Sequence, residues 1–280
     1  MVSGNVSPQR GAKPPRVSKS LKEMLAESVQ DDLIITPALK EFLVGWDENY
    51  PPEVVAQVTA VMNARQRDRS ASWSASGAGK CWRRQELAFL GMPVFGYDDP
   101  QLELIFLNGR WVHLRWQATL LTAGLLDSIE VTVKHPRTRT RCSMDGEGIG
   151  TRGRFKGREF GFELKGRNDW QWNKQFTKGA DEETRKQVDF EFLLSGFDLF
   201  VILNENKNNQ ATKEWIITRE DDRIQEMKKQ IKDLNRAIDI QRLHPMLDEC
   251  KKGEGEWKKC PYGSDGGACQ MSGKFPSTIP

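Results

Sequence analysis

The sequence lacks the features that would place it in a membrane or outside the cell. No apolar run approaches the ~18 residues that a membrane-spanning helix needs, and residues 1–20 have no apolar centre of the kind that a secretory signal requires. The chain has five cysteines, an odd number that does not suit a complete set of disulfides. These absences predict a cytoplasmic chain without a membrane partner, whose cysteines are free thiols or metal ligands.

Net charge is also small, at +3, which alone does not demonstrate a polyanionic partner. Its distribution is uneven, because residues 134–178 contain twelve Lys or Arg against five Asp or Glu. This local excess favours an approach by phosphate groups to that part of the chain. A solvated basic face with no ligand is the alternative.

Patterning divides the chain into four regions. Residues 1–20 have four basic residues, three prolines and no acidic residue, which predicts a disordered basic arm. Helical spacing of apolar residues predicts a helical region at 21–80, and a folded core follows at 81–245. Residues 246–280 are rich in Lys, Gly and Cys, with too little apolar material for a core of their own, so this tail needs a staple.

Within the core, a helix is expected at about 110–126, and three strands at about 128–136, 138–146 and 158–166. Another helix at about 181–195 and two further strands predict an α/β (α+β) fold with a mixed sheet flanked by helices. After Thr218, apolar residues alternate at steps of three and four over Ile224, Met227, Ile231, Leu234 and Ile238. This pattern predicts a long amphipathic helix that packs on its own domain, while a homo-oligomer seam is the alternative.

The stretch "GFELKGRNDW" contains the first candidate site. Side chains two apart on a strand share a face, so Glu163 and Lys165 project together, while the carbonyl of Leu164 remains able to reach a metal. Asp145 ends the preceding predicted strand, where a hairpin brings its carboxylate near Glu163. Two carboxylates suit Mg²⁺ or Mn²⁺, and an adjacent ammonium orients or deprotonates water. The alternative is that Asp145 caps a turn and Glu163 only pairs with Lys165.

Two further residues lie near this motif along the chain. His113, one of three histidines, is on the helix before the strands and is a candidate imidazole ligand, although a lone helical histidine is usually structural. Gln187 is on the helix after the strand of Glu163, where its amide is placed to hold a phosphate or Lys165.

The order His113, Asp145, Glu163-Leu164-Lys165 and Gln187 resembles the PD-(D/E)XK nuclease superfamily, in particular its RecB-like branch with CRISPR-associated and phage exonucleases. The resemblance implies a restriction-endonuclease-like core in which His113, Asp145, Glu163 and the Leu164 carbonyl bind the metal. It also implies that Lys165 is the catalytic lysine and that Gln187 begins the Q motif. This sequence departs from the pattern in having no proline before Asp145, and Glu191 where an aromatic residue is usual.

Cysteines form the second candidate site. Cys250, Cys260 and Cys269 are spaced too widely for a zinc ribbon with C-x2-C knuckles, and Cys81 at the start of a helix is the natural fourth thiolate. One early and three late cysteines resemble the iron–sulfur members of the same branch, which implies a structural [4Fe–4S] cluster; zinc and an unligated tail are the alternatives. Cys142 is expected to be a buried small apolar residue.

Together these motifs predict a Mg²⁺- or Mn²⁺-dependent DNA exonuclease, and the resemblance implies a role in recombination, repair or processing, with a phage origin among the possibilities. Arg137, Arg139 and Arg141 alternate as on one strand face, which suits backbone phosphates, and Trp170 and Trp172 are candidates for stacking on unpaired bases. The other function classes are a catalytically silent nucleic-acid-binding adaptor with the same cluster, and a zinc-stapled structural protein.

Overall fold

The structure is a computed structural model, and it describes residues 32–64, 71–94, 100–175, 179–255, 260–263 and 267–270. The predicted basic arm at 1–20 lies outside the described residues. Within the described ranges, no helix is long and apolar enough to cross a membrane.

Helices and strands alternate irregularly along the described chain. The helices are α1 (Ile35–Val44), α2 (Pro52–Asn63), α3 (Trp82–Phe89), α4 (Pro100–Thr122), α5 (Asp169–Gln175), α6 (Glu182–Ser195), α7 (Asp221–Asp239) and α8 (Asp248–Lys251). The strands are β1 (Trp73–Ser74), β2 (Ser128–His135), β3 (Thr140–Ile149), β4 (Glu159–Arg167), β5 (Leu199–Asn206) and β6 (Thr212–Thr218).

All six of these strands belong to one mixed sheet. Along one edge, β3 pairs antiparallel with β2; along the other, it pairs with β1 at its start and with β4 at its end. Strand β4 then pairs parallel with β5, and β5 pairs antiparallel with β6. The predicted mixed α/β core with a central sheet flanked by helices is therefore confirmed.

Helices cover both faces of the sheet. On one face, α6 and α7 pack through Val188, Phe192 and Ile224 against Met144 and Phe200. On the other face, α1 and α4 pack against the alternate residues of β4 and β5. This second core contains Ile35, Leu39, Val112, Leu120, Phe160, Phe162, Leu164, Val201 and Leu203. Strand β4 is therefore buried on both sides, and its polar residues lie deep in the fold.

The β2–β3 hairpin changes face in its middle. Val131 and Met144, which are paired, pack on the α6 side, whereas Ile129, two residues before Val131, packs on the α4 side. Between them, Glu130 adopts a φ of 52°, in the left-handed region that non-glycine residues rarely occupy. Its expected partner across the hairpin, Asp145, is missing from the ladder. A backbone conformation that costs on the order of 1–2 kcal/mol is thus maintained opposite the candidate carboxylate.

Several predicted elements shift in the structure. Helix α4 begins at Pro100 rather than near residue 110 and ends at Thr122 rather than residue 126. The predicted helix at 181–195 is confirmed as α6, whose N-cap Asp181 accepts a hydrogen bond from the Thr184 backbone N–H. The amphipathic helix after Thr218 is confirmed as α7, which packs on its own domain through Ile224, Met227, Ile231 and Leu234.

Candidate active site at the split between β3 and β4

The two candidate carboxylates lie where β3 and β4 separate. The antiparallel ladder runs from Ile149 opposite Glu159 to Gly146 opposite Phe162 and stops there. The next two positions in the same register are Asp145 and Glu163. Because the strands part at this point, the Leu164 N–H donates instead to Asp145 Oδ2, at 2.7 Å. The Asp145 carboxylate therefore accepts the hydrogen bond that a partner strand would accept at the end of the ladder.

Helix α4 holds Asp145 through residues one turn apart. His113 Nδ1 lies 3.1 Å from Asp145 Oδ1, and Gln117 Nε2 donates to the Asp145 carbonyl at 2.9 Å. Residues four apart share one face of a helix, so α4 fixes both the side chain and the main chain of Asp145. Gln117 Nε2 also donates to Glu130 Oε1 at 3.1 Å, which ties the strained residue into the same group.

Glu163, Lys165 and Gln187 form a closed triangle on the α6 side. Lys165 Nζ donates to Glu163 Oε1 and to Gln187 Oε1, both at 2.7 Å, and Gln187 Nε2 donates to Glu163 Oε1 at 2.7 Å. Glu163 is 4% exposed, and its Oε2 has no hydrogen-bond partner among the described residues. A buried carboxylate oxygen without a partner is costly, so this atom would gain from a cation or a donor beside it.

Glu191 adds a third carboxyl group. It is fully buried, accepts a hydrogen bond from Gln187 Nε2 at 2.9 Å, and leaves its own Oε2 without a partner. Burial and the nearby Glu163 carboxylate raise the pKa of Glu191 well above its ordinary value. With both N–H groups of its amide engaged, Gln187 is held in the one orientation that presents its oxygen to Lys165.

Electrostatics separate the two strand carboxylates. Burial raises the pKa of Asp145, but His113 and the Leu164 N–H outweigh burial and hold that pKa below its ordinary value. Burial and the Asp145 charge raise the pKa of Glu163. Burial lowers the pKa of His113, yet Asp145 and Glu163 outweigh it and raise the pKa to about 9. The imidazole and the ammonium of Lys165 thus balance the crowded carboxyl groups.

The donor set of this site fits a hard divalent cation. Three carboxyl groups converge, two of their oxygens are buried without a partner among the described residues, and an imidazole lies beside them, which is the oxygen-rich chemistry that Mg²⁺ and Mn²⁺ prefer. No three His, Cys, Asp or Glu side chains in the described ranges are already arranged as a ligand set. The predicted residues are therefore brought together, while their ligand roles stay predictions.

The four predicted cysteines also come together. Burial, with Cys81, Cys269 and Cys260 among the neighbouring charges, raises the pKa of Cys250 to about 11. Arg83, the second residue of the helix that Cys81 precedes, donates to the Cys269 carbonyl at 3.1 Å. These thiols lie within electrostatic reach of one another but do not form a ready ligand set, so the cluster stays a prediction. Cys142 is buried on β3, as expected.

The predicted DNA-contacting residues lie differently from the expectation. Arg137 is in a short 3-10 turn and Arg139 follows it with a φ of 55°, so only Arg141 is on β3 and the three share no strand face. Arg139 is also ion-paired with Asp239, at 2.8 Å. The error arose because the turn begins at Pro136, whose fixed φ ends the preceding strand.

The two tryptophans lie just beyond the sheet. Trp170 and Trp172 lie on helix α5, directly after β4. Residues two apart on a helix point about 200° apart around its axis, so these rings do not share one face. Trp170 is 67% exposed, whereas Trp172 is partly buried.

Three residues of the site escaped the sequence patterns. Gln117 lies four residues after His113, and this spacing was the available signal for a shared helix face. Glu191 stood out only as a departure from the resembled motif. Glu130 had no signal, because neither composition nor alternation predicts a positive φ within a strand.

Comparisons with known proteins give weak likenesses. No family model matches the sequence, and no curated protein matches it. Among solved structures, the alkaline exonuclease LHK-Exo from Laribacter hongkongensis is 16% identical, with 61% of this chain and 90% of that chain covered and a TM-score of 0.44. Its complex with dAMP gives a TM-score of 0.46 over the same coverage. The protein SSO0001 is 11% identical, with 75% and 91% covered and a TM-score of 0.45. Scores below 0.5 do not assign a family.

Proposed function

We propose that this protein is a metal-dependent DNA nuclease, acting as an exonuclease, of the PD-(D/E)XK superfamily. The observation that carries the proposal is the convergence of His113, Asp145, Glu163, Lys165 and Gln187 at the β3–β4 split, with a buried Glu163 oxygen left open. A strand end with two carboxylates and a fixed ammonium suits hydrolysis of a phosphodiester.

In this proposal Mg²⁺ or Mn²⁺ is held by Asp145, Glu163, His113 and the Leu164 carbonyl. The bound ion would supply Lewis-acid stabilisation of the charge that develops on phosphate. Asp145 orients the site by receiving the Leu164 N–H, which keeps β4 in register beside it. Nδ1 of His113 faces Asp145, so its Nε2 is the nitrogen available to a ligand.

Lys165 is assigned the positioning of the attacking water. Its ammonium has three N–H donors, and two of them bind Glu163 and Gln187. The remaining N–H is available to a water molecule or a phosphate oxygen, and an ammonium has no lone pair with which to accept a proton. This inventory favours orientation and charge stabilisation over a role as general base. Resemblance to the superfamily implies that the 3′-oxygen is the leaving group, so in-line attack would leave 5′-phosphate and 3′-hydroxyl ends.

The second part of the proposal concerns Cys81, Cys250, Cys260 and Cys269. Four thiol donors at the two ends of the core suit a [4Fe–4S] cluster, with zinc as the alternative. What supports it is the rise of the Cys250 pKa, caused mainly by burial with Cys81 and Cys269 near enough to add to it, and the contact of Arg83 with the segment of Cys269. A bound cluster would supply folding energy to the short tail segments.

The proposal is tested by incubating end-labelled single-stranded and duplex DNA with anaerobically purified protein and Mn²⁺, Mg²⁺ or EDTA. Wild type is compared with Lys165→Ala and with Lys40→Ala, which removes an exposed lysine on α1. Metal-dependent cleavage that persists in Lys40→Ala and is lost in Lys165→Ala is the expected result. Equal cleavage by both variants would overturn the assigned role of Lys165. Retained DNA binding without any cleavage would favour a non-catalytic adaptor.

A further inference from the structure

A cleft of about 360 Å³ lies at the tip of the β2–β3 hairpin, away from the candidate active site. We call it the hairpin-tip cleft, and its lining combines apolar and cationic side chains. The lining residues are His135, Arg137, Thr138, Thr140, Leu193, Leu194, Lys228, Ile231, Lys232 and Asn235. Thr140 is five residues from Asp145 along β3, which places the cleft roughly 17 Å from that carboxylate.

The walls of the cleft are tied together before any ligand binds. Asn235 Nδ2 on α7 donates to the Thr138 carbonyl at 3.1 Å, while Asn235 Oδ1 accepts from Trp73 Nε1 at 3.0 Å. Beside them, Arg139 and Asp239 form an ion pair between the hairpin tip and α7. Two links therefore hold the tip against the helix, and a third ties the helix to β1, as expected of a preformed site.

Charges in the cleft are of one sign. Arg137, Lys228 and Lys232 are exposed, no acidic residue is in the lining, and none of the three forms an ion pair with a described residue. Lys228 and Lys232 stand four apart on α7, a spacing at which like charges destabilise a helix by a few tenths of a kcal/mol. Position 224, four residues before Lys228, is the buried Ile224 and not a neutralising acid.

The floor of the cleft is aliphatic. Leu194 and Ile231 contribute to the main core and are 6% and 4% exposed, and Leu193 packs beside them, partly buried. Among the described residues, the lining contains no Trp, Tyr or Phe on which a base would stack, and only one arginine able to fork around a phosphate. Lysines around an aliphatic floor instead suit carboxylates placed next to an apolar side chain.

We infer that the hairpin-tip cleft binds an acidic peptide segment of a partner protein, with an aliphatic side chain on Leu193, Leu194 and Ile231 and neighbouring carboxylates at Lys228, Lys232 and Arg137. The first twenty residues of this chain carry four basic and no acidic residues, so charge disfavours that arm as the occupant. The inference stands apart from the proposed nuclease reaction, because none of these residues belongs to the candidate active site.

The test is fluorescence anisotropy at low ionic strength, in EDTA, with a labelled peptide of sequence Asp-Asp-Leu-Leu-Asp-Asp. Wild type is expected to bind it, and Lys228→Glu combined with Lys232→Glu is expected to bind at least about tenfold more weakly. Lys229→Glu is the matched control, since it removes an exposed lysine on the same helix that does not line the cleft. A peptide with glycine in place of leucine should also bind more weakly.

Three results would overturn the inference. The first is equal peptide affinity for wild type and the double variant, and the second is an equal loss in the Lys229→Glu control. The third is no peptide binding by wild type together with weaker binding of oligothymidylate by the double variant, which would make the cleft a nucleic-acid groove. Lys228→Ala combined with Lys232→Ala, checked by thermal unfolding, repeats the comparison without introducing acidic residues.

Discussion

The carboxylate site and the cysteine cluster are built in different ways. At the carboxylate site, two strands and two helices supply the groups, and Asp145, Lys165 and Gln187 each make at least two hydrogen bonds. At the cysteine cluster, Cys250 lies on a four-residue helix and Cys269 on a three-residue turn. The polypeptide therefore fixes the side chains of the first site in a hydrogen-bonded network, whereas it brings the donors of the second together on short segments.

The largest expected effect is a loss of cleavage on disrupting the carboxylate site at Gln117, a residue that does not touch substrate. Gln117→Leu removes the donor to the Asp145 carbonyl and to Glu130, so Asp145 loses its fixed main chain. Cleavage should fall about 10- to 100-fold, as when an outer partner of a metal ligand is lost. The loss should be in kcat rather than in KM, measured by steady-state cleavage of labelled DNA.

Gln85→Leu is the matched control for that variant. Gln85 is also a buried glutamine that donates to a main-chain carbonyl, in this case that of Lys80 at 2.8 Å. Its substitution should lower thermal stability without lowering kcat by more than about twofold. If both variants lose kcat equally, Gln117 acts through general stability and not through Asp145.

A smaller effect is expected from breaking the second site. Cys250→Ser should lower iron and acid-labile sulfide content, or zinc content, and reduce Tm by several degrees, because bound metal supplies folding energy to the tail segments. Limited proteolysis should then cut within residues 246–280. Cys142→Ala, which removes a buried thiol outside the four, should leave metal content unchanged. Unaltered metal content in Cys250→Ser would remove that residue from the proposed ligands.

The smallest expected effect is an increase in folding stability when Glu191, at the carboxylate site, is replaced by glutamine. The pKa of Glu191 is raised in the folded state by burial and by Glu163. The protonated carboxyl group therefore favours folding, and the contribution of Glu191 to the stability of the protein falls as the pH rises above about 4.5. Glu191→Gln mimics the protonated form. In EDTA, the difference in free energy of unfolding between Glu191→Gln and wild type should therefore increase from pH 5 to pH 8.

Glu226→Gln supplies the control for that titration, because Glu226 is an exposed carboxyl group on α7. The difference in free energy of unfolding between Glu226→Gln and wild type, measured by chemical denaturation, should stay nearly constant from pH 5 to pH 8. A flat profile for Glu191→Gln would contradict the raised pKa of Glu191.

Local patterns predicted the parts of this molecule whose causes are local. The helix at about 181–195, the shared face of Glu163 and Lys165, and the stripe of α7 all follow from spacing along a single element. Features that depend on contacts between distant parts of the chain could not be predicted from these patterns. Strand β1 has only two residues, too few to show a pattern, and its pairing with β3 depends on tertiary packing. The arginines were misplaced because alternation continues through a turn as readily as along a strand.

The change of face at Glu130 constrains the length of the hairpin more than its composition. Val131 and Met144 point to the core on the α6 side, whereas Ile129 packs in the core on the α4 side and a Cβ at Gly146 would meet Leu126 of that core, so the alternation of faces shifts phase at Glu130 and Asp145. Deleting or inserting one residue between Val131 and Met144 would shift that phase and turn Asp145 away from His113. Variants of this protein should therefore tolerate many substitutions along the hairpin while retaining a fixed number of residues.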